Sequence, residues 1–213
     1  MLKVKVCGMT DPANVKAVAQ TGPDFMGFIF YPGSPRYVGK EPDPAIFNNV
    51  AADILKVGVF VHEDPVYVIE IAAMTGLDYV QLHGTETPDY CESLKLSGLK
   101  IIKDFGICDY TDFDMFESHM DVCDYYLFDT RSEKHGGSGK KFNWDILNSY
   151  NLDKPFFLSG GIGPSDAKEI MKIKNPWFMG VDLNSLFETT PGIKIPELVS
   201  GFVEEIKKSG NEL

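Results

Sequence analysis

Long apolar runs are missing from this chain of 213 residues, and so are paired cysteines, spaced histidines and any excess of positive charge. No apolar stretch approaches the ~20 residues that a membrane-spanning helix needs. The segment Met1-Leu2-Lys3-Val4-Lys5-Val6-Cys7 alternates apolar and polar residues, unlike the continuous apolar centre of a secretory signal. Cysteine occurs at positions 7, 91, 108 and 123 and never as Cys-x-x-Cys. A chain this long can bury a large core without disulfide staples. A reducing, cytoplasmic setting is the expectation. The histidines His62, His83, His119 and His135 lack metal-ligand spacing, so neither a metal nor another cofactor is expected. His62, His119 and His135 are expected to face solvent, and His83 to orient or hydrogen-bond a ligand.

Lys and Arg number 20 against 31 Asp and Glu, giving a formal net charge of −11. A nucleic acid or an anionic membrane would be repelled by most of such a surface, so neither is an expected partner. Any anionic ligand has to be held locally, by a few Arg or Lys side chains and aimed backbone N–H groups.

What the chain does contain is alternation. Strand-like segments fall at 4–7, 25–30, 56–61, 79–82, 100–103, 125–128, 156–158 and 178–181. Several are nearly all apolar, as strands buried on both faces should be. Asp11-Pro12 reads as a helix N-cap followed by proline at the first helical position. Helices over 65–74, 88–96, 164–173 and 196–208 also begin at proline. Eight strand–helix units predict a single-domain α/β (βα)8 TIM barrel over residues 1–213, with an open doubly wound sheet as the alternative. The helix within 106–120 is weakly patterned. Residues 132–141, rich in glycine and charge, read as a mobile loop after strand six.

Barrel active sites gather where strand C-termini converge. Those ends carry Cys7-Gly8, Gln81-Leu82-His83-Gly84, Lys103, Asp129-Thr130, Ser159-Gly160-Gly161 and Asp182-Leu183-Asn184-Ser185. Period-two geometry places Lys5 on the face of Cys7, Gln81 with His83, and Asp182 with Asn184. A thiol, one or two lysines and two carboxylates would then share the barrel mouth. Cys7 is either a small buried hydrophobe or a proton acceptor whose thiolate Lys5 stabilises. Lys5 is otherwise an ion-pair partner of Asp129 or Asp182. Asp129 is either a loop cap or a general acid, the latter requiring burial or a neighbouring carboxylate. Asp182 suits hydrogen bonding at least as well as proton transfer.

Gly160-Gly161 and Asn184-Ser185, after strands seven and eight, form a candidate phosphate cradle, with the helix starting near Pro164 adding its dipole. A small phosphorylated metabolite is therefore the expected partner, bound by a monomer or a homodimer. Gly136-Gly137-Ser138-Gly139-Lys140 lacks the leading glycine of a nucleotide P-loop and is not read as one. Ser34-Pro35-Arg36-Tyr37 is either a turn with an exposed arginine or a stiffened guanidinium aimed at a carboxylate. The strand ends show no histidine–aspartate ligand set of the kind a metal-dependent epimerase would carry.

Together these segments resemble the phosphoribosylanthranilate isomerase family. The resemblance rests on Lys5-Val6-Cys7-Gly8-Met9-Thr10, Gly27-Phe28-Ile29-Phe30-Tyr31-Pro32, Ser34-Pro35-Arg36-Tyr37-Val38, Val57-Gly58-Val59-Phe60-Val61 and Val80-Gln81-Leu82-His83-Gly84. It continues through Phe128-Asp129-Thr130, Gly136-Gly137-Ser138-Gly139-Lys140, Ser159-Gly160-Gly161 and Gly180-Val181-Asp182-Leu183-Asn184-Ser185. Each motif alone is weak, but the set runs in family order over nearly the whole chain. The resemblance implies an Amadori rearrangement of a phosphoribosylated aminobenzoate by acid–base chemistry. It carries the base onto Cys7, the acid onto Asp129 and carboxylate recognition onto Arg36. It also puts Asp182 in the substrate site and supports phosphate binding by the glycines after strand seven and by Ser185 and its neighbours. Departures lie in Arg131-Ser132-Glu133-Lys134-His135, which is unusually charged, and in Lys140-Lys141 and Asn143, where the family often has Lys-Thr and Asp.

Overall fold

The computed structural model of the chain describes residues 1–130 and 141–209. Among them, β1 (Lys3–Val6), β2 (Phe25–Ile29), β3 (Leu55–Phe60) and β4 (Tyr79–Leu82) pair in parallel with β5 (Lys100–Ile107), β6 (Tyr125–Thr130), β7 (Phe156–Leu158) and β8 (Phe178–Leu183). The sheet closes where β8 pairs with β1, setting Lys5 opposite Asp182. The architecture is a (βα)8 TIM barrel.

The outer helices start with a recurring device. Asp11, Asp43, Asp64 and Thr87 each accept a backbone N–H from the first turn, and a proline follows each at the first helical position. These caps open α1 (Pro12–Ala19), α2 (Pro44–Asn48), α3 (Pro65–Thr75) and α4 (Pro88–Leu96). Capping supplies a partner for orphan donors, and proline there removes a donor that would have had none. The short α2 was not among the helices expected from sequence.

The next two outer positions are 3-10 segments, Phe113–His119 and Trp144–Ser149. Their buried residues explain why. Phe113 and Phe116, and likewise Trp144, Leu147 and Tyr150, recur every third position. A 3-10 turn holds three residues, so this spacing puts the large side chains on one side. After β7 the helix is only α5 (Ala167–Ile170), not 164–173. The Asp166 carboxylate turns back to accept the N–H of Gly163 at 2.5 Å, and residues 164 and 165 form a turn. No helix axis therefore begins at Pro164. Following β8, a two-stranded ribbon, β9 (Glu188–Thr190) and β10 (Ile193–Lys194), precedes α6 (Pro196–Ser209). The glycine-rich stretch 131–140 lies outside the described residues.

The barrel interior and the helix–sheet layer are separate cores. Phe25, Val57, Tyr79, Ile102, Leu127 and Phe157 fill the inside. Phe25 on β2 meets Phe157 on β7 across the barrel, with ring centroids 5.4 Å apart. Because side chains alternate along each strand, this layer fixes which residues point inward above it: Val59, Gln81, Asp104, Asp129 and Ser159. Lys103 has the opposite parity. Expected at the mouth, it lies on the outer face, where its ammonium donates to the carbonyls of Leu82 (3.1 Å) and Gly84 (2.7 Å) and pairs with Glu86 (3.2 Å).

Phe157 is fully buried beneath the site. Phe157→Ala is expected to cost about 3–5 kcal/mol of unfolding free energy, the range for a buried aromatic truncated to alanine. Urea denaturation followed by circular dichroism checks this, and a loss under ~1 kcal/mol would contradict a tightly filled barrel floor.

Candidate active site

At the C-terminal end of the barrel lies a cavity of about 300 Å³. Cys7, Arg36, His83, Asp129, Gly160, Gly161, Asp182, Asn184 and Ser185 all line it, joined by Tyr31, Ser34, Gln81 and Ser159. Lys5 is absent from the lining. It is fully buried one layer below, where its ammonium donates to Asp182 at 2.9 Å. The ion pair is the alternative with Asp182, not with Asp129.

Two glycines make the walls approach closely. A side chain at Gly27 on β2 would sit 2.7 Å from the Cys7 sulfur, so its absence lets the thiol occupy that wall. Gly160 has φ of +90°, and a Cβ there would collide with the Asp129 carboxylate and Thr130. Glycine is the residue that tolerates both demands.

Burial dominates the electrostatics. Asp129 is pushed up to about 7, first by burial and then by the nearby Asp104 carboxylate, against the opposing charge of His83. Cys7 also moves up, because burial outweighs the stabilising charge of Lys5. Of the two readings of Cys7, a thiolate stabilised by Lys5 is not favoured in the free protein, since the lysine's charge acts on the thiol but burial outweighs it. Burial works against the charge of His83 as well, but Asp104 overcomes it and lifts His83 to about 9. The His83 Nδ1 and the Asp104 carboxylate are 2.8 Å apart.

Asp104 is the residue that sequence reasoning missed. His83, Asp104 and Asp129 bring ligand-type atoms within 4.8 Å of one another, a histidine–aspartate cluster that was not expected. Among the described residues this is the grouping close enough to surround a cation, although the histidine and one aspartate are bonded to each other instead. His62 is exposed as expected, whereas His119 is half-buried, with its Nε2 3.2 Å from the Glu86 carbonyl and its ring edge against Phe105. His135 lies outside the described residues.

A second network holds Arg36. Its Nε lies 2.8 Å from Glu188 Oε1 and its Nη2 2.7 Å from Oε2, the paired geometry that a guanidinium makes with a carboxylate. Lys194 bonds the same Glu188 and donates to Asn184 Oδ1 at 2.8 Å. Burial brings Lys194 down to about 8 despite Glu188. Glu188 and Lys194 arrive from the β9–β10 ribbon, which no local sequence signal announced. Asp182 Oδ1 and Gln81 Oε1 are buried acceptors at the cavity with no hydrogen-bond donor among the described residues.

Comparison with known proteins agrees with this geometry. A family model described as N-(5′-phosphoribosyl)anthranilate isomerase matches residues 4–205. The chain is 42% identical over 205 residues to the N-(5′-phosphoribosyl)anthranilate isomerase of Phocaeicola vulgatus, covering 96% of this chain and 98% of that one. It is also 42% identical to the enzyme of the same name from Parabacteroides distasonis, covering 95% of this chain and 92% of that one. The crystal structure of phosphoribosylanthranilate isomerase from Thermotoga maritima superposes with a TM-score of 0.87 at 31% identity, over 98% of this chain and 100% of that one. Coverage from first strand to last, with the cavity residues in place, makes this chain a member of the N-(5′-phosphoribosyl)anthranilate isomerase family.

Proposed function

We propose that the chain catalyses the Amadori rearrangement of N-(5-phosphoribosyl)anthranilate to 1-(2-carboxyphenylamino)-1-deoxyribulose 5-phosphate, a step of tryptophan biosynthesis, with Asp129 as general acid and Cys7 as general base. The observation that carries the assignment is that these two groups line one cavity, where burial raises the carboxyl and the thiol above their ordinary values. Asp129 gives its proton to the furanose ring oxygen. The bond from that oxygen to C1′ breaks, and the anilino nitrogen lone pair forms the C1′=N bond. Cys7 thiolate removes the proton from C2′, and the released electron pair forms C1′=C2′ and neutralises nitrogen. The enolamine then returns its hydroxyl proton to Asp129 and takes a proton at C1′ from Cys7, giving the ketone. Both side chains are restored, and acid–base transfer suffices.

Binding follows the same layout. Glu188 fixes one edge of Arg36 and leaves Nη1 for the anthranilate carboxylate. The positive-φ turn Gly160-Gly161 and the Asn184-Ser185 corner offer close backbone approach for the phosphate, without a helix dipole from α5. His83 supplies a cationic lining group, and Asp182 Oδ1 and Gln81 Oε1 are acceptors suited to ribose hydroxyls or the anilino N–H.

The assignment separates binding from chemistry. In a fluorescence assay of phosphoribosylanthranilate consumption, Asp129→Asn should keep KM within a few-fold and lose at least about 100-fold in kcat, the lower end for a general acid. Arg36→Met should instead raise KM roughly 10- to 100-fold, as loss of a charge-assisted bond worth ~1.5–3 kcal/mol requires. Normal turnover by Asp129→Asn would remove the acid from the scheme.

The pH dependence is specific too. The productive state needs Asp129 protonated and Cys7 ionised, yet Asp129 ionises near 7 while burial pushes the Cys7 thiol above its ordinary range. Between those values the pair holds one proton, and it sits mostly on sulfur. Turnover therefore runs through the minority arrangement, with the proton on Asp129. The profile of kcat/KM should rise to a break near pH 7, stay flat, and fall only beyond the ordinary thiol range. A profile that already falls from pH 7 would show that the base ionises below the acid.

A further inference from the structure

Asp104 projects into the barrel with the parity of Ile102, one turn of the pleat above the apolar floor. It is buried, and it does not line the cavity. A carboxylate in that position is costly unless something balances it. His83 does so at 2.8 Å, and the Asp129 carboxylate stands within 4.8 Å of both. We propose that Asp104 is a positioning residue for the isomerisation: its buried carboxylate, ion-paired with His83 and facing Asp129, raises the share of the transferable proton that rests on Asp129 and keeps His83 cationic at neutral pH.

This rests on the assignment of Asp129 as the acid. A carboxylate this close opposes the ionisation of Asp129, which therefore retains its proton to higher pH. Asp104 is the largest charge effect on Asp129 after burial itself, and it exceeds the opposing effect of His83. Other charged groups facing the cluster are fixed. From β1, Lys5 is committed to Asp182, and Cys7 is a thiol at neutral pH. From β8, Asp182 adds a weaker repulsion. On the outer face of β5, Lys103 is committed to Glu86 and to carbonyls. Asp104 thus favours the protonated form of both neighbours, a neutral Asp129 and a cationic His83. Since the productive state carries its proton on Asp129, raising that site's affinity raises the productive fraction directly.

The signs distinguish this role from packing. Asp104→Asn removes the repulsion and also lets His83 become neutral. The kcat/KM break near pH 7 should move to lower pH, and the plateau should fall several-fold. His83→Asn leaves Asp104 facing Asp129 without a counter-ion, so the break should move to higher pH. NMR titration of the free protein gives a readout independent of activity. The His83 ring should titrate near pH 9 in the wild type and well below that in Asp104→Asn, while Asp104→Glu should restore part of both shifts. Loss of activity in Asp104→Asn with unmoved breaks and an unmoved His83 titration would overturn the proposal. So would activity that depends on an added divalent ion and loses that dependence in Asp104→Asn. If instead Asp129→Asn isomerises normally, the acid assignment fails first, and the His83 titration still reports whether Asp104 charges its partner.

Discussion

The Lys5–Asp182 ion pair is the constraint on which the mouth of this barrel depends. It joins the first and last strands at the seam where the barrel closes, and both side chains are buried. Burial opposes both charges. For Lys5 the Asp182 carboxylate prevails and the ammonium persists, while Asp182 is pushed up because burial costs it more than Lys5 returns. Such a pair adds little net stability, since apolar replacements of similar volume often do as well, whereas removing one partner strands a charge. Its value lies in what it positions. One Asp182 oxygen is fixed to Lys5, leaving Oδ1 for the cavity. The Cys7 thiol, two residues along from Lys5, feels that charge, but burial outweighs it and the group remains a thiol.

In a chain of net charge −11, the cations that line the cavity are braced. Arg36 is gripped by Glu188, and Glu188 by Lys194, so the guanidinium is oriented before any ligand arrives. His83 is braced in the same way by Asp104. Pre-ordering of this kind reduces the entropy lost on binding. Glu188 and Asp104, though anionic themselves, fix where the positive charges point.

Much of the site was legible because it lies at strand ends, where a barrel converts a sequence position into a place. Cys7, His83, Asp129 and Asp182 could be found from the alternation alone, and Gly160-Gly161 from its place after strand seven. Three features were not legible. Lys103 and Asp104 are adjacent, and choosing between them needs the parity of strand five, which only the packed floor of Ile102 and its neighbours determines. Glu188 and Lys194 act on Arg36 across 152 positions or more, through a ribbon with no distinctive pattern. The helix after strand seven was placed too early because proline marks a possible start, while the Asp166 bond to Gly163 delays the actual one. Third-position spacing of Phe113 and Phe116 was present in the sequence, but it reads as weak amphipathicity when tested against a period of 3.6.

The central claim is that burial, not a nearby cation, governs Cys7, leaving it mostly a thiol in the free protein. Ultraviolet absorbance of the thiolate, titrated in the free protein and taken as the difference between wild type and Cys7→Ser, measures this without any contribution from turnover. Cys7 should show no substantial thiolate signal at pH 7, and the difference signal should rise at higher pH than that of an ordinary exposed thiol. A full thiolate signal at neutral pH would contradict it, and would mean that Lys5 serves the sulfur rather than Asp182.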